Sequence, residues 1–314
     1  MSQELLEVRN LKKHFKTRDG ILYAVDGIDL SIKGGETLGL VGESGCGKST
    51  AGRAILRLHE PTSGEVIYKG NNILKYSKGE MKKLRKEMQI VFQDPYTSLN
   101  PRMNVQQLIE YPLKIATDYS AVDRLDRVLE MMEVTGLEQR LIDAYPHELD
   151  GGRRQRIGIA RALILNPSFI VMDEPVSALD VSIQAQILNL LMELREKNGY
   201  TYLFISHNLS VVKHISDRIA VMYLGKLVEA ADYKTLFANP LHPYTKALLA
   251  SIPRAKPGTS VQGNILTGDV PSPVNPPAGC RFSGRCAYAK PVCTEEEPKL
   301  RQVGESQVAC HLVS

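Results

Sequence analysis

No run of about 18 apolar residues occurs in these 314 residues, so no segment has the length to cross a bilayer as a helix. The longest apolar stretches, such as Phe169–Met172, have the length of buried strands. The opening MSQELLEVRN lacks the basic-then-apolar order of a secretory leader. The expectation is a cytoplasmic protein that does any membrane work through partners. An excess of one charge sign is also missing. Thirty-nine Lys and Arg stand against 35 Asp and Glu, a net charge of +4 that is too mild to predict nucleic acid as a partner. Cysteine is scarce until the tail, where Cys280, Cys286, Cys293 and Cys310 follow the isolated Cys46. In a reducing compartment such a cluster favours a metal over disulfides.

What is present is a core-forming composition, 43% hydrophobic and 24% charged. LLEVRNL and LYAVDGIDLSI read as strands, ETLGLVG as a buried strand entering a glycine-rich loop, and residues 64–75 as a short hairpin. Between about 95 and 165 the pattern turns helical, and strand logic returns at FIVMD, YLFISH and IAVMYLGKLVEAA. A helix from Ser182 places Ile183, Ile187, Leu190, Leu191 and Leu194 on one face. Strand–helix–strand alternation of this kind predicts an α/β fold with a mostly parallel sheet. After about 235 prolines multiply (Pro240, Pro243, Pro253, Pro257, Pro271, Pro273, Pro276, Pro277) and the cysteines follow, which marks a C-terminal appendage.

Residues 42–50, GESGCGKST, fit G-x-x-x-x-G-K-[ST] between a strand and a helix. Glycines let successive N–H groups turn inward onto phosphate oxygens, and the helix adds its positive end. The binding segment is Ser44, Gly45, Cys46, Gly47, Lys48, Ser49 and Thr50. Lys48 is expected to reach the β- and γ-phosphates of ATP, Ser49 to ligate Mg²⁺, and Thr50 to contact the α-phosphate region. Cys46 reads as a small filler. FIVMDEP then supplies two strand-end carboxylates, about 130 residues downstream. Asp173 is expected to hold the Mg²⁺ shell and Glu174 to polarise the attacking water.

With these motifs in place, residues 4–250 resemble the ATPase subunits of ABC transporters, a phosphate-loop NTPase core with an antiparallel β edge and a helical insertion. The resemblance implies that Gln93, in IVFQDP, is the Q-loop glutamine that touches the metal and the permease. It implies that His207, in LFISHNL, is the switch histidine at the γ-phosphate, and that Asp180, ending SALD, is the D-loop aspartate at the dimer interface. Phe15 stands where an aromatic stacks on adenine, with Tyr23 as the alternative. The implied division is an ATP-binding core (1–94 and 166–235), a helical signature subdomain (95–165) and a C-terminal extension (236–314).

The family signature LSGGQ corresponds to Leu149-Asp150-Gly151-Gly152-Arg153, which departs at two of five positions. In the family this segment caps the γ-phosphate bound by the partner subunit. A carboxylate at Asp150 repels that phosphate, by on the order of a few kcal/mol, and Arg153 offsets part of it. Aspartate is as good a helix N-cap as serine, so the fold is expected to tolerate it.

NPLHPYTKALLASIP and the cysteine segment resemble the C-terminal region of oligopeptide and dipeptide importer ATPases, most closely the second of the paired subunits. The spacing C-x5-C-x6-C-x16-C contains no C-x2-C pair of the zinc-ribbon kind. Four thiolates can equally hold an iron–sulfur cluster, and the resemblance implies 4Fe–4S, with zinc as the alternative and His311 as a substitute ligand. The implied function is ATP hydrolysis that drives peptide import. The implied partners are a second ABC ATPase, two transmembrane permease subunits and, indirectly, an extracytoplasmic peptide-binding protein, at the cytoplasmic face of the membrane. Two competing readings remain: another cargo, such as nickel or a glycan, for the same motor, and a soluble ABC-type ATPase acting on nucleic acid or the ribosome. Against the second, the chain has one phosphate loop and no long heptad run.

Overall fold

The computed structural model describes residues 4–252, 271–276 and 278–313. Pro253, Pro257 and Pro277 lie outside the described residues. The chain forms two compact units that interleave along the sequence instead of following it linearly. One contains residues 33–36 and 75–204, and the other 4–32, 37–74 and 205–314.

The second of these units carries the phosphate loop. Two long strands, Glu4–Thr17 and Gly20–Lys33, open it. The first pairs antiparallel with Ser63–Tyr68, with Leu6 opposite Tyr68 and Val8 opposite Val66, all four buried. The short strand Asn71–Asn72 completes the expected hairpin, and a 3-10 turn at Ile73–Lys75 ends it. A second sheet in the same unit pairs Thr37–Val41 parallel with Arg218–Tyr223. The latter turns back at Leu224-Gly225 into Lys226–Asp232. All five residues of Thr37–Val41 are buried, as the uninterrupted apolar pattern requires of a parallel strand covered on both faces.

The C-terminal stretch joins this unit's sheet. Ser306–Val308 pairs antiparallel with Lys226–Asp232, with Val308 opposite Glu229, and Arg301–Val303 pairs in turn with Ser306–Val308. Pro273 and Asn275 lie against the strand Gly20–Lys33, where Tyr23 N–H donates to Pro273 O at 3.1 Å and Asn275 N–H to Ile21 O at 3.0 Å. The segment read as an appendage is therefore woven into the unit that holds the phosphate loop.

In the other unit, Met88–Val91 and Phe169–Asp173 pair in parallel, and Thr201–Ser206 lies next to Phe169–Asp173. Helices fill residues 95–165 as expected. Their core is built from Val105, Leu108, Ile109 and Leu113 of one helix, Val128 and Met132 of the next, and Ile157 and Ala160 of Gly151–Leu163. Asn104 and Ser120 start two of these helices with reciprocal caps to Gln107 and Asp123. The helix Val181–Asn198 buries Ile187, Leu188, Leu191 and Leu194, and Gly199 at φ 68° ends it. No helix among the described residues is long and apolar enough to cross a membrane.

Candidate nucleotide site

The phosphate loop takes its shape from three left-handed or extended glycines, Gly42, Gly45 and Gly47. At Gly47, with φ 105°, a Cβ atom would stand 1.9 Å from the Ala24 carbonyl oxygen, so no side chain fits. Gly47 also begins the helix Lys48–Ile55, whose first amides receive no side-chain cap. Uncapped amides at a helix start are what an anionic phosphate satisfies. Lys48 is buried, and its Nζ donates to the carbonyls of Gly42 (2.8 Å) and Glu43 (2.9 Å). Those bonds hold the ammonium inside the curl of the loop. Cys46 is only 3% exposed, and burial pushes its thiol pKa up, so it is the inert filler that the sequence suggested. Ser49 and Thr50 are half-buried on the first turn of the helix.

Phe15 is half-buried near the end of the strand Glu4–Thr17, edge-on to His59 with ring centres 5.8 Å apart and with Lys13 Nζ 4.7 Å from its ring centre. Tyr23, the alternative, is engaged by His14 at 4.3 Å and by the Arg281 guanidinium at 5.8 Å. His207 is exposed just after its strand, followed by Asn208, whose side chain caps the helix Leu209–Ile215.

The two strand-end carboxylates lie in the other unit. Asp173 closes the strand Phe169–Asp173 and is fully buried. Glu174 has φ 48°, an unusual backbone for a side-chain-bearing residue and one concentrated at functional sites. Gln93 Nε2 donates to Glu174 Oε2 at 2.9 Å, so the Q-loop candidate and the candidate base are in direct contact.

Asp150 is the N-cap of Gly151–Leu163, its Oδ1 accepting the Arg153 N–H at 2.8 Å. Its other oxygen accepts from Arg153 Nη1 at 3.1 Å, while Arg153 Nη2 reaches Glu138 at 3.1 Å. The fold tolerates the aspartate as expected, and Arg153 is shared between two carboxylates. Gly152 is packed so closely that a Cβ would meet Ile183 Cγ2 at 2.7 Å. Asp180 caps Val181–Asn198 through Ile183 N–H at 3.0 Å, and the hydrogen bonds from Ile183 and Ser182 lower its pKa.

The expectation for Cys280, Cys286, Cys293 and Cys310 meets a different arrangement. All four are free thiols, and no group of three or more His, Cys, Asp or Glu among the described residues is arranged to hold a metal ion. The thiols nonetheless sense one another. Burial first, then the charges of its three partners, push the Cys280 pKa up to about 11. Each sulfur also accepts a backbone amide: Cys280 from Phe282, Cys286 from Tyr288, Cys310 from Leu312 and Cys293 from Lys290. His311 turns its ring to the Glu296 carbonyl at 2.9 Å and is not drawn to the sulfurs.

Sequence reasoning missed Glu43, inside the phosphate loop, and the two residues that hold it, Tyr244 and Arg285. A signal was present, because an acidic residue inside a phosphate-binding loop demands a counter-charge. It did not say where in the chain that charge stands.

A glycine-shaped loop with a buried lysine, opening an uncapped helix, defines a nucleoside triphosphate-binding protein of the phosphate-loop class. Comparison with known proteins agrees and narrows the class. The ABC transporter family model matches residues 25–177, and the model for the oligopeptide/dipeptide transporter C-terminal region matches residues 228–293. The chain is 51% identical over 323 residues to the oligopeptide transport ATP-binding protein AppF of Bacillus subtilis, covering 99% of this chain and 98% of that one. It is 47% identical over 319 residues to the dipeptide transport ATP-binding protein DppF of Escherichia coli, covering 100% and 96%. Among solved structures, the dimeric ATP-binding cassette MJ0796 bound to ADP and Pi superposes with a TM-score of 0.68 at 32% identity, over 73% of this chain and 98% of that one. The chain belongs to the ABC transporter ATPases, in the branch of oligopeptide and dipeptide transport ATP-binding proteins. It is an ATPase.

Proposed function

We propose that this ATPase powers the import of di- or oligopeptides through a membrane permease, as one half of an ATPase pair at the cytoplasmic face of the membrane. The observation that carries this reading is the match of residues 228–293 to the C-terminal region of peptide transporters, joined to near full-length similarity with peptide-import subunits. In this reading Ser44 to Thr50 bind the phosphates of ATP, with Lys48 at the β- and γ-phosphates. Ser49, Gln93 and Asp173 hold Mg²⁺, Glu174 takes the proton of the attacking water, His207 contacts the γ-phosphate and Phe15 stacks on adenine. Asp150, Gly151, Gly152, Arg153 and Asp180 face the nucleotide bound by the second ATPase.

The test is uptake. Cells lacking the gene lose uptake of labelled di- or oligopeptides and regain it with the intact gene, but not with a Lys48→Ala copy. Unchanged peptide uptake together with lost nickel or oligosaccharide uptake reassigns the cargo. Retained transport of all three, with co-purifying ribosomes or nucleic acid, overturns the transporter reading.

For the C-terminal cysteines the proposal is that Cys280, Cys286, Cys293 and Cys310 hold a 4Fe–4S cluster that braces this region. What supports it is the donor set itself, four cysteines whose sulfurs each accept a backbone N–H, the kind of outer contact that a metal-bound thiolate uses. Anaerobically purified protein should contain iron and acid-labile sulfide and absorb broadly in the visible. One zinc and no iron selects the alternative metal, and no metal of either kind rejects the site.

A further inference from the structure

Glu43 is the second residue of the phosphate loop, and it is fastened at three points. Its carbonyl accepts from Lys48 Nζ at 2.9 Å. Its N–H donates to the Tyr244 hydroxyl at 2.9 Å. Its carboxylate receives both arms of Arg285, Nη1 to Oε2 at 2.7 Å and Nη2 to Oε1 at 3.1 Å. This is the parallel two-bond fork that makes arginine–carboxylate pairs strong and directional. Arg285 stands 242 positions away in sequence, on the turn between Cys280 and Cys286, and its side chain is only 6% exposed. The arm is held in place by aromatic packing. The guanidinium lies 5.9 Å from the Tyr223 ring centre, Phe282 meets Tyr223 edge-on at 5.2 Å, and Phe282 packs on Tyr244 at 5.4 Å.

A free carboxylate in a loop built to receive a triphosphate works against binding, because both are anionic. Glu43 must therefore be neutralised and held still, and both tasks fall to residues of the C-terminal region. We propose that Arg285 is a positioning residue for nucleotide binding, which cancels the Glu43 charge and fixes the shape of the phosphate loop from outside the ATPase core. Tyr244 assists through the Glu43 amide. Arg285 does not touch the nucleotide; it acts through Glu43. The proposal rests on the reading of residues 42–50 as the nucleotide loop.

Two substitutions of Arg285 and one double variant with Glu43 test it in the intact chain, with MgATP affinity measured by equilibrium binding and stability by thermal melting. Arg285→Gln should weaken MgATP by about tenfold and raise KM, with kcat changed less than about twofold. Arg285→Lys, which keeps the charge and loses the fork, should fall between the two. Adding Glu43→Gln to Arg285→Gln should bring affinity back to within about twofold of wild type, because no charge is left to neutralise. A merely structural role would lower the melting temperature of Arg285→Gln while leaving MgATP affinity, measured well below the melting transition, at the wild-type value. Wild-type affinity in Arg285→Gln, or a double variant as weak as Arg285→Gln, overturns the proposal. Should Arg285→Gln fail to fold, Arg285→Lys and the double variant carry the same comparison. Failure of the wild-type chain itself to bind MgATP, or binding unaffected by Lys48→Ala, would instead refute the assignment of the loop.

Discussion

Gln93 and Glu174, 81 residues apart in sequence, are joined by a 2.9 Å hydrogen bond from the amide nitrogen of one to the carboxylate of the other. The contact ties the loop after Met88–Val91 to the loop after Phe169–Asp173, two strands that pair in parallel. A change at Gln93 is therefore relayed directly to the candidate base.

Glu174→Gln keeps the shape of the side chain and removes its basicity. ATP affinity should stay within about threefold of wild type, while steady-state hydrolysis in the assembled transporter drops at least about 100-fold. Hydrolysis near the wild-type rate would take Glu174 out of the catalytic role.

Asp150 offers the opposite experiment, a gain. Asp150→Ser with Arg153→Gln places a hydroxyl in the segment proposed to face the partner's nucleotide. Arg153 is shared between Asp150 and Glu138, so its neutralisation of Asp150 is incomplete. Hydrolysis at the site that this segment is proposed to serve should rise several-fold, the modest effect expected of a solvent-exposed, partly paired carboxylate. The melting temperature should move by less than about 2 °C, since serine caps as well as aspartate. The readout is single-turnover hydrolysis with the other site silenced at its base. Equal rates before and after would show the carboxylate to be electrostatically silent.

His242 is a buried, uncharged histidine. Burial first, then the charge of Lys246, depresses its pKa to about 4 from the usual 6.5. Its Nδ1 accepts the Tyr244 N–H at 3.1 Å, a bond available only to the neutral ring. The unfolded chain binds this proton more readily than the folded one, so stability is complete above about pH 6.5 and declines as pH falls toward 4. The decline from pH 7 to pH 5 should be about 2 kcal/mol from this group. His242→Asn can keep the cap and does not titrate. Its denaturant midpoint should therefore lose less than the wild type between pH 7 and pH 5, and parallel losses would contradict the assignment.

Glu110 anchors the helical core by accepting from Arg124 Nε at 2.6 Å and standing 3.0 Å from Lys114 Nζ. Burial alone would raise its pKa, but the hydrogen bonds from Arg124 and Lys114 outweigh it and bring the value below the usual carboxylate range. Glu110→Gln should destabilise the protein by about 1–2 kcal/mol at pH 7, discounted because both cations are partly exposed. The difference should shrink as acid protonates the wild-type carboxylate, which urea titrations at pH 7 and pH 3.5 would measure.

The local parts of the site were legible in the sequence because short-range chemistry dictates them. The glycines of residues 42–50, the strand-end Asp173 and the cap at Asp150 each follow from the few residues around them. The interleaving of the two units, and the return of the C-terminal segment to the phosphate loop, depend on contacts hundreds of positions apart that leave no local pattern. Arg285 looks like any solvated arginine until Glu43 is set beside it. The cysteines are intermediate in this respect, because their number and spacing showed a cluster while the direction of each sulfur did not.

The pairing of Ser306–Val308 with Lys226–Asp232 also bears on how this chain can be handled. With those last residues cut away, the amides and carbonyls around Glu229 and Ala230 would form an open rim, ready to bind any extended segment. A chain cut before Ser306 should self-associate through this rim in proportion to its concentration. Affinity tags and fluorescent fusions should therefore not replace the strand Ser306–Val308.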